Sequence, residues 1–468
     1  MLKNEQPFLP LAAAAALLLV SCSSSGGGSA PGSPTSRASS GGGSETSCAA
    51  TWQLSHALVP SGDSAASTDL AGVAAVSPTD VWAVGSTSST GAAQQTLVER
   101  WDGTSWSIVA APDPGNTGSL GGAQLTAVSA VSADDVWAVG YIGSLAPPST
   151  TAGAPSTAVA AQTLSEHWNG RSWSIVGVPD IAARDGVTPL DVLTSVQAVS
   201  QDDVWAVGIT EWDLDQGVVV QPLVAQWTGA YWTLVDVPDP EPLPPDWALE
   251  DAQVPVGASA AVGSAALLGI AASSVDDVWT VGGYEADMGA ATGNASPWET
   301  LTEHWDGSSW SIVPAPDATL PEPLSDGSTQ PDDLLMATGE AAAGDLWAVG
   351  GALPGSALTL RQSGDSWNLV PSLAVAVSGV GGWPGYWAPG AHQPTFLPGV
   401  SPLVGVVTLS STDAWAVGAV ILHWNGDSWQ ALYAVNGHPF GYLTGVSATR
   451  AGGLWAVGGT TIVHSPCA

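Results

Sequence analysis

Two kinds of side chain in this sequence have types and spacings that could do chemistry. Carboxylates gather in short runs: Glu211, Asp213 and Asp215 in EWDLD, then Asp246, Glu250 and Asp251, then Glu285 with Asp287. Alternating oxygen donors such as Glu211, Asp213 and Asp215 could contribute to a calcium site, because calcium is held by several oxygen ligands. The run lacks the spacing of an EF-hand loop, and a solvated acidic surface is the simpler reading. Two acids of this set brought together would also suit glycoside hydrolysis, which needs a carboxylic acid and a carboxylate on either side of the scissile bond. Nothing in their spacing pairs two of them. Aromatic residues stand in the same regions: Trp212, Trp247, Trp298, and the segment GWPGYWAPGAHQPTF with Trp383, Tyr386, Trp387, His392 and Phe396. Stiffly held aromatic faces suit stacking on a sugar or gripping a peptide. The alternative is that these rings pack beneath long loops as small local cores.

The elements that must position these residues form a repeat. A phrase of the type DVWAVG recurs seven times, with tryptophans at Trp82, Trp137, Trp205, Trp279, Trp347, Trp415 and Trp455. Each copy follows a β-prone run such as LTSVQAVS from Leu193 and precedes a phrase such as EHWDGSSWSIV from Glu303. That makes four short strands per unit, joined by an S-x-x-D turn between the first two and a W-D/N-G-x-S-W hairpin between the last two. VWAVG is apolar on both strand faces, so both faces of its sheet must be covered. Four-stranded sheets stacked radially meet that demand, and the expected fold is an all-β, seven-bladed β-propeller of four-stranded antiparallel blades.

The chain ends fit the same count. Six units carry their own hairpin, whereas the seventh ends on TTIVHS from Thr460 and finds its fourth strand in TWQL from Thr51. The last blade is therefore expected to close with strands from both termini. Cys48 and Cys467 would then lie where the other blades have a covalent hairpin, and a disulfide there would add about 5–6 kcal/mol in the chain-entropy model.

Strand direction divides the turns between two faces. The first-to-second and third-to-fourth turns share one face, and the second-to-third loops and blade-to-blade connections share the other. Every long insertion falls on the second face: 141–163, 209–222, 236–266, 283–299, 314–334 and 371–402. Of the 24 tryptophans, 19 belong to the repeat frame, and the five that do not, Trp212, Trp247, Trp298, Trp383 and Trp387, all lie in those insertions. Long loops on a rigid scaffold are where binding is usually carried. The recurrent Asp80, Asp135, Asp203, Asp277, Asp345 and Asp413 read as turn caps, and His167, His304, His423 and His464, at equivalent third-strand positions, read as structural.

Asp277 to Gly283 (DVWTVGG) and Glu303 to Val313 (EHWDGSSWSIV) resemble the kelch repeat, the propeller class that includes the central domain of galactose oxidase. The resemblance covers residues 48–468 as an architecture and is degenerate in detail, with the double glycine complete only at Gly282-Gly283, Gly350-Gly351 and Gly458-Gly459. It implies a binding scaffold rather than a particular activity. A galactose-oxidase copper-radical site would need a cysteine joined to a tyrosine, and the cysteines here have other assignments. A sialidase-like arginine triad finds little support, because Arg100, Arg171, Arg361 and Arg450 sit at the short-turn face and only Arg184 lies on the other side.

Charge and termini narrow the setting. The chain has 42 Asp and Glu against 7 Lys and Arg, a balance that disfavours nucleic acid and anionic lipid surfaces. Residues 1–22 read as a lipoprotein signal ending in Leu19-Val20-Ser21-Cys22, with Cys22 the lipidated residue, and 23–47 as a Ser/Gly-rich tether. The expectation is a monomeric propeller, residues 48–468, anchored by its lipid on the extracytoplasmic side of a bacterial envelope. It would need no cofactor, with calcium as the one candidate ligand of its acids, and would bind a glycan, peptide or envelope protein without turnover. A polysaccharide-active enzyme and a structural envelope component are the competing classes. Non-reducing peptide mapping is expected to recover Cys48 and Cys467 in one linked fragment; two free thiols would remove the proposed clasp.

Overall fold

The computed structural model describes residues 52–60, 67–89, 92–114, 121–144, 160–183, 186–214, 217–238, 240, 264–285, 298–318, 332–341, 344–352, 356–364, 366–372, 402–432, 440–450 and 452–465. All belong to one compact unit, Cys48–Ala468. Its strands form seven four-stranded antiparallel sheets, each in simple sequential order. Blade 1 consists of Ser67–Ser77, Asp80–Ser88, Gln95–Trp101 and Trp106–Ile108. Blades 2 to 6 open at Ala123, Leu190, Ala265, Asp333 and Gly405. Blade 7 takes Gly445–Ala448, Leu454–Gly458 and Thr461–Ser465 from the C-terminal end and Gln53–His56 from the N-terminal end. The seven-bladed β-propeller and its two-ended last blade are as the repeat implies.

The second strand of every blade is buried along its apolar run, and its tryptophan packs against the hairpin tryptophans of the next blade. Trp82 of blade 1 lies 5.1 and 5.4 Å from Trp168 and Trp173 of blade 2. Trp137, Trp205 and Trp347 meet the hairpin pairs of blades 3, 4 and 6 in the same way. Trp455 of blade 7 closes the ring on Trp101 and Trp106 of blade 1. Blades 5 and 7 lack the first hairpin tryptophan, so Trp279 meets Trp367 and Trp415 meets Trp52.

The glycine that ends each phrase answers a different constraint. The first strand carries a bulge opposite it, between Leu193 and Ser195 in blade 3, which pushes a carbonyl against the second strand. A Cβ on Gly208 would lie 1.9 Å from the Val192 oxygen, and Gly85, Gly140, Gly282 and Gly350 meet the same obstacle. The bulge also carries ring-closing hydrogen bonds. Thr126 donates to the Leu193 carbonyl of the next blade at 2.7 Å, Thr194 to Leu268 at 3.0 Å, and Thr444 to Leu70 across the closure at 3.2 Å. Gly208→Ala is expected to destabilise the propeller by about 1–3 kcal/mol or more, as overpacking against backbone does, read as a lower urea midpoint with an unchanged m-value.

Candidate functional site

The short-turn face is built from a repeated polar unit. The aspartate opening the second strand accepts a hydrogen bond from the third-strand side chain that lies over the phrase tryptophan. His167 Nε2 is 2.8 Å from Asp135 and stacks on Trp137 at 4.2 Å. His304 with Asp277 and Trp279, and His423 with Asp413 and Trp415, repeat the arrangement. Arg100 substitutes in blade 1, 2.7 Å from Asp80 and 4.6 Å above Trp82, and Gln226 takes the polar role opposite Asp203 in blade 3. These groups are occupied in structure, as their recurrence implies. The adjoining hairpins are held by Asx turns: Asp306 accepts from Ser308 N, Ser308 Oγ and Ser309 N, which holds its carboxyl down at about 2.

On the opposite face, the structure revises part of the aromatic and acidic set. Residues 209–222 are largely an extension of the blade 3 hairpin, with Asp203–Leu214 paired to Gly217–Trp227. Strand alternation puts Glu211 and Trp212 on opposite sides. Trp212 is 2% exposed, packed with Val219 against Ile181 and Val187. Trp298 is 1% exposed, inside a cluster that includes Tyr141, Val192, Ile209, Leu268 and Leu334. Neither ring presents a face to a ligand, so both leave the proposed platform and become parts of the packed core. Glu211 is buried as well. Trp247, Trp383, Tyr386, Trp387 and His392, Asp215, the side chain of Asp213, and Cys22, Cys48 and Cys467 lie outside the described residues.

Buried carboxylates at the seams between blades were not singled out by sequence reasoning. Asp191 and Asp333 occupy equivalent positions at the start of the first strands of blades 3 and 5, opposite Thr210 and Ala352. Each accepts an N–H from the tail of the preceding blade, Ile181 and Ala318 respectively. A signal exists: the tail residue eight places after the second hairpin tryptophan is Pro60, Pro114 and Pro240 ahead of blades 1, 2 and 4, where the first strand has Thr68, Ala123 and Ala265. Proline has no N–H to give, and no acid stands opposite it. Burial pushes Asp191 up to about 6, and burial with Asp317, Asp332 and Glu299 nearby pushes Asp333 up to about 8.

The third strand adds a second set. Glu99, Glu166 and Glu303 are fully buried at equivalent positions in blades 1, 2 and 4. Glu99 accepts the Leu58 N–H from the blade 7 tail at 2.8 Å. The position matching Leu58 ahead of Glu166 is Pro112, and neither oxygen of Glu166 meets a donor among the described residues. Burial, with Asp113 alongside, pushes Glu166 up to about 8, against about 7 for Glu99.

The first strands line a central channel. A cavity of about 350 Å³ lies toward the short-turn end, walled by Val, Ala, Ser and Thr with Glu340, and one of about 170 Å³ lies deeper, bounded by Thr126, Thr194, Met336 and Thr444. Among the described residues no group of three or more His, Cys, Asp or Glu is arranged to hold a metal ion.

No protein-family model matches the chain, and no curated protein matches it. Solved structures do. YCF48 from Cyanidioschyzon merolae is 13% identical with a TM-score of 0.43, covering 88% of this chain and 98% of that one. The WD40 propeller domain of Doa1 is 12% identical with a TM-score of 0.42, covering 89% and 98%. The propeller domain of Cps50 (Swd1) from Myceliophteria thermophila is 11% identical with a TM-score of 0.39, covering 85% and 98%. Similarity at this level concerns the fold, and the kelch likeness stays a likeness of motifs. Because Trp298 is part of the packed core, Trp298→Ala is expected to lower stability by about 3–5 kcal/mol, read by thermal or urea unfolding.

Proposed function

We propose that this protein is a non-enzymatic binding scaffold, exported and lipid-anchored through Cys22, that engages a glycan, peptide or envelope protein through its long-loop face. The observation that carries this reading is the asymmetry of the closed ring. One end is finished by short turns whose polar groups are consumed in Asp–His, Asp–Arg and Asx contacts, while every long connection leaves from the other end. A rigid ring holding long loops on one side is an arrangement for recognition. With Trp212 and Trp298 buried, the stacking role falls to Trp247, Trp383, Tyr386, Trp387 and His392. Asp191 and Asp333, whose raised carboxyls would otherwise suit a general acid, are buried among backbone donors and packed side chains, which favours binding over glycoside hydrolysis.

The test is retention of the full chain on a panel of immobilised polysaccharides and envelope peptides, with and without calcium, while released reducing ends are assayed in the same samples. Retention without release, lost in the Trp383→Ala, Trp387→Ala double variant, is the expected result. Released reducing ends would overturn the scaffold reading in favour of an enzyme.

A further inference from the structure

The buried acids divide the seams of the ring into unlike classes. At the seam of blades 1 and 2, Glu166 is 0% exposed, and the charged group facing it from the adjoining tail is Asp113. On the third strands of these blades, Arg100 is engaged by Asp80 and His167 by Asp135. At the seam of blades 4 and 5, Asp333 is 0% exposed, with Oδ1 meeting no donor among the described residues. It faces Asp317 from the tail, Asp332 from its own strand and Glu299 from the third strand of blade 4. Those three are already bound by Thr300 N, Trp298 N and the Tyr284 hydroxyl. Among the described residues neither carboxylate has a cation paired with it, and an uncompensated buried charge is strongly unfavourable. At the seam of blades 2 and 3 the position of Glu166 is Ala225, so the same architecture includes a seam without that acid.

We propose that the seams between blades 1 and 2 and between blades 4 and 5 are proton gates, closed while Glu166 and Asp333 hold a proton and loosened when they ionise. An acid whose folded-state pKa lies above its unfolded value binds a proton on folding. Its stabilising contribution is complete below the unfolded value and is lost as pH rises through the folded one. For Glu166 that window runs from 4.5 to about 8, and for Asp333 from 3.8 to about 8. At the blade 4–5 gate, Trp298, Ala318 and Asp332, which border residues 286–297 and 319–331 in the sequence, belong to the carboxylate network.

Hydrogen exchange of the full chain, followed by mass spectrometry at pH 5.5, 6.5 and 7.5 and corrected for intrinsic rates, reads each seam separately. The expected result is local opening that rises by up to about tenfold per pH unit in Ala160–Trp168 and in the 333–337 part of Asp333–Glu340, clear of the raised carboxyl of Glu340, with Gly217–Trp227, which carries Ala225 at the position of Glu166, responding less. Glu166→Gln is expected to abolish the rise in the first segment alone, and Asp333→Asn in the second alone. Loosening shared equally by all seams would mean general repulsion within an acidic chain and would overturn the proposal. So would a rise that survives both substitutions. If either variant fails to fold, the seam-by-seam comparison within the wild-type chain still decides between the two.

Discussion

Each seam of this propeller depends on one indole held from two sides. In blades 1, 2, 4 and 6 the phrase tryptophan is covered within its own blade by a histidine or arginine that an aspartate fixes in place, in blade 7 His464 stacks on Trp455 without that aspartate, and the next blade supplies one or two hairpin tryptophans. Aromatic contacts of this geometry contribute about 0.5–1.5 kcal/mol each beyond the area they bury. The orientation matters more than the sum. An indole wedged between two neighbours sets the angle between successive blades, and that angle must be the same at every seam for the ring to close with a strand from the other end of the chain. The short turns follow from this demand, since Asp at the turn positions the cation and the D/N-G-x-S hairpin positions the tryptophan pair. Gly103 and Gly170, at φ of 94° and 84°, allow that hairpin its tight reversal.

Spending the polar groups of one face on this frame leaves the chain with few cations to place anywhere else. Arg100 and Arg361 are committed to Asp80 and Asp345. Carboxylates in the seams are therefore matched with backbone N–H groups or left protonated, and whether an N–H is present depends on where the tails carry proline. Glu99 beside Leu58 and Glu166 beside Pro112 are the same residue type in the same fold position, and they differ by one backbone N–H and by Asp113 next to Glu166.

The architecture was legible because its determinants recur. Seven copies of one phrase, with turn chemistry at fixed offsets, specify strands, hairpins and a two-ended last blade without reference to distant contacts. Residues that occur once or twice are harder to read. Trp212 and Trp298 look like a platform when they are seen only as tryptophans outside the frame. Trp212 alternates with acids along a strand that runs farther than the loop reading allows, and Val218, Val219 and Val220 across the hairpin favour that extension. Asp191 and Asp333 look like loop acids until register sets them opposite the second strand, where their partner is an N–H on a different blade. Pairwise spacing along the chain does not show such a partner, although comparing proline positions between blades does.

The departures from the repeat carry a further consequence at the seam of blades 4 and 5. There the hairpin has Gln362 in place of its first tryptophan and the first strand has Glu340 where five other blades have alanine and blade 6 has Thr408. Trp279, with one neighbouring indole instead of two, donates its N–H to Asp277 at 3.1 Å. Trp415, whose partner blade also lacks the first tryptophan, does the same to Asp413 at 2.9 Å. The lost ring is thus answered by a polar contact at the same indole, which keeps the seam angle while reducing apolar packing. The seam of blades 4 and 5 also holds Asp333 with its three neighbouring carboxylates, so weaker packing and greater charge coincide at one place in the ring. A propeller made of equal seams would resist pH equally all round. This one places its sensitivity at two seams, where Glu166 and Asp333 are buried without a paired cation among the described residues.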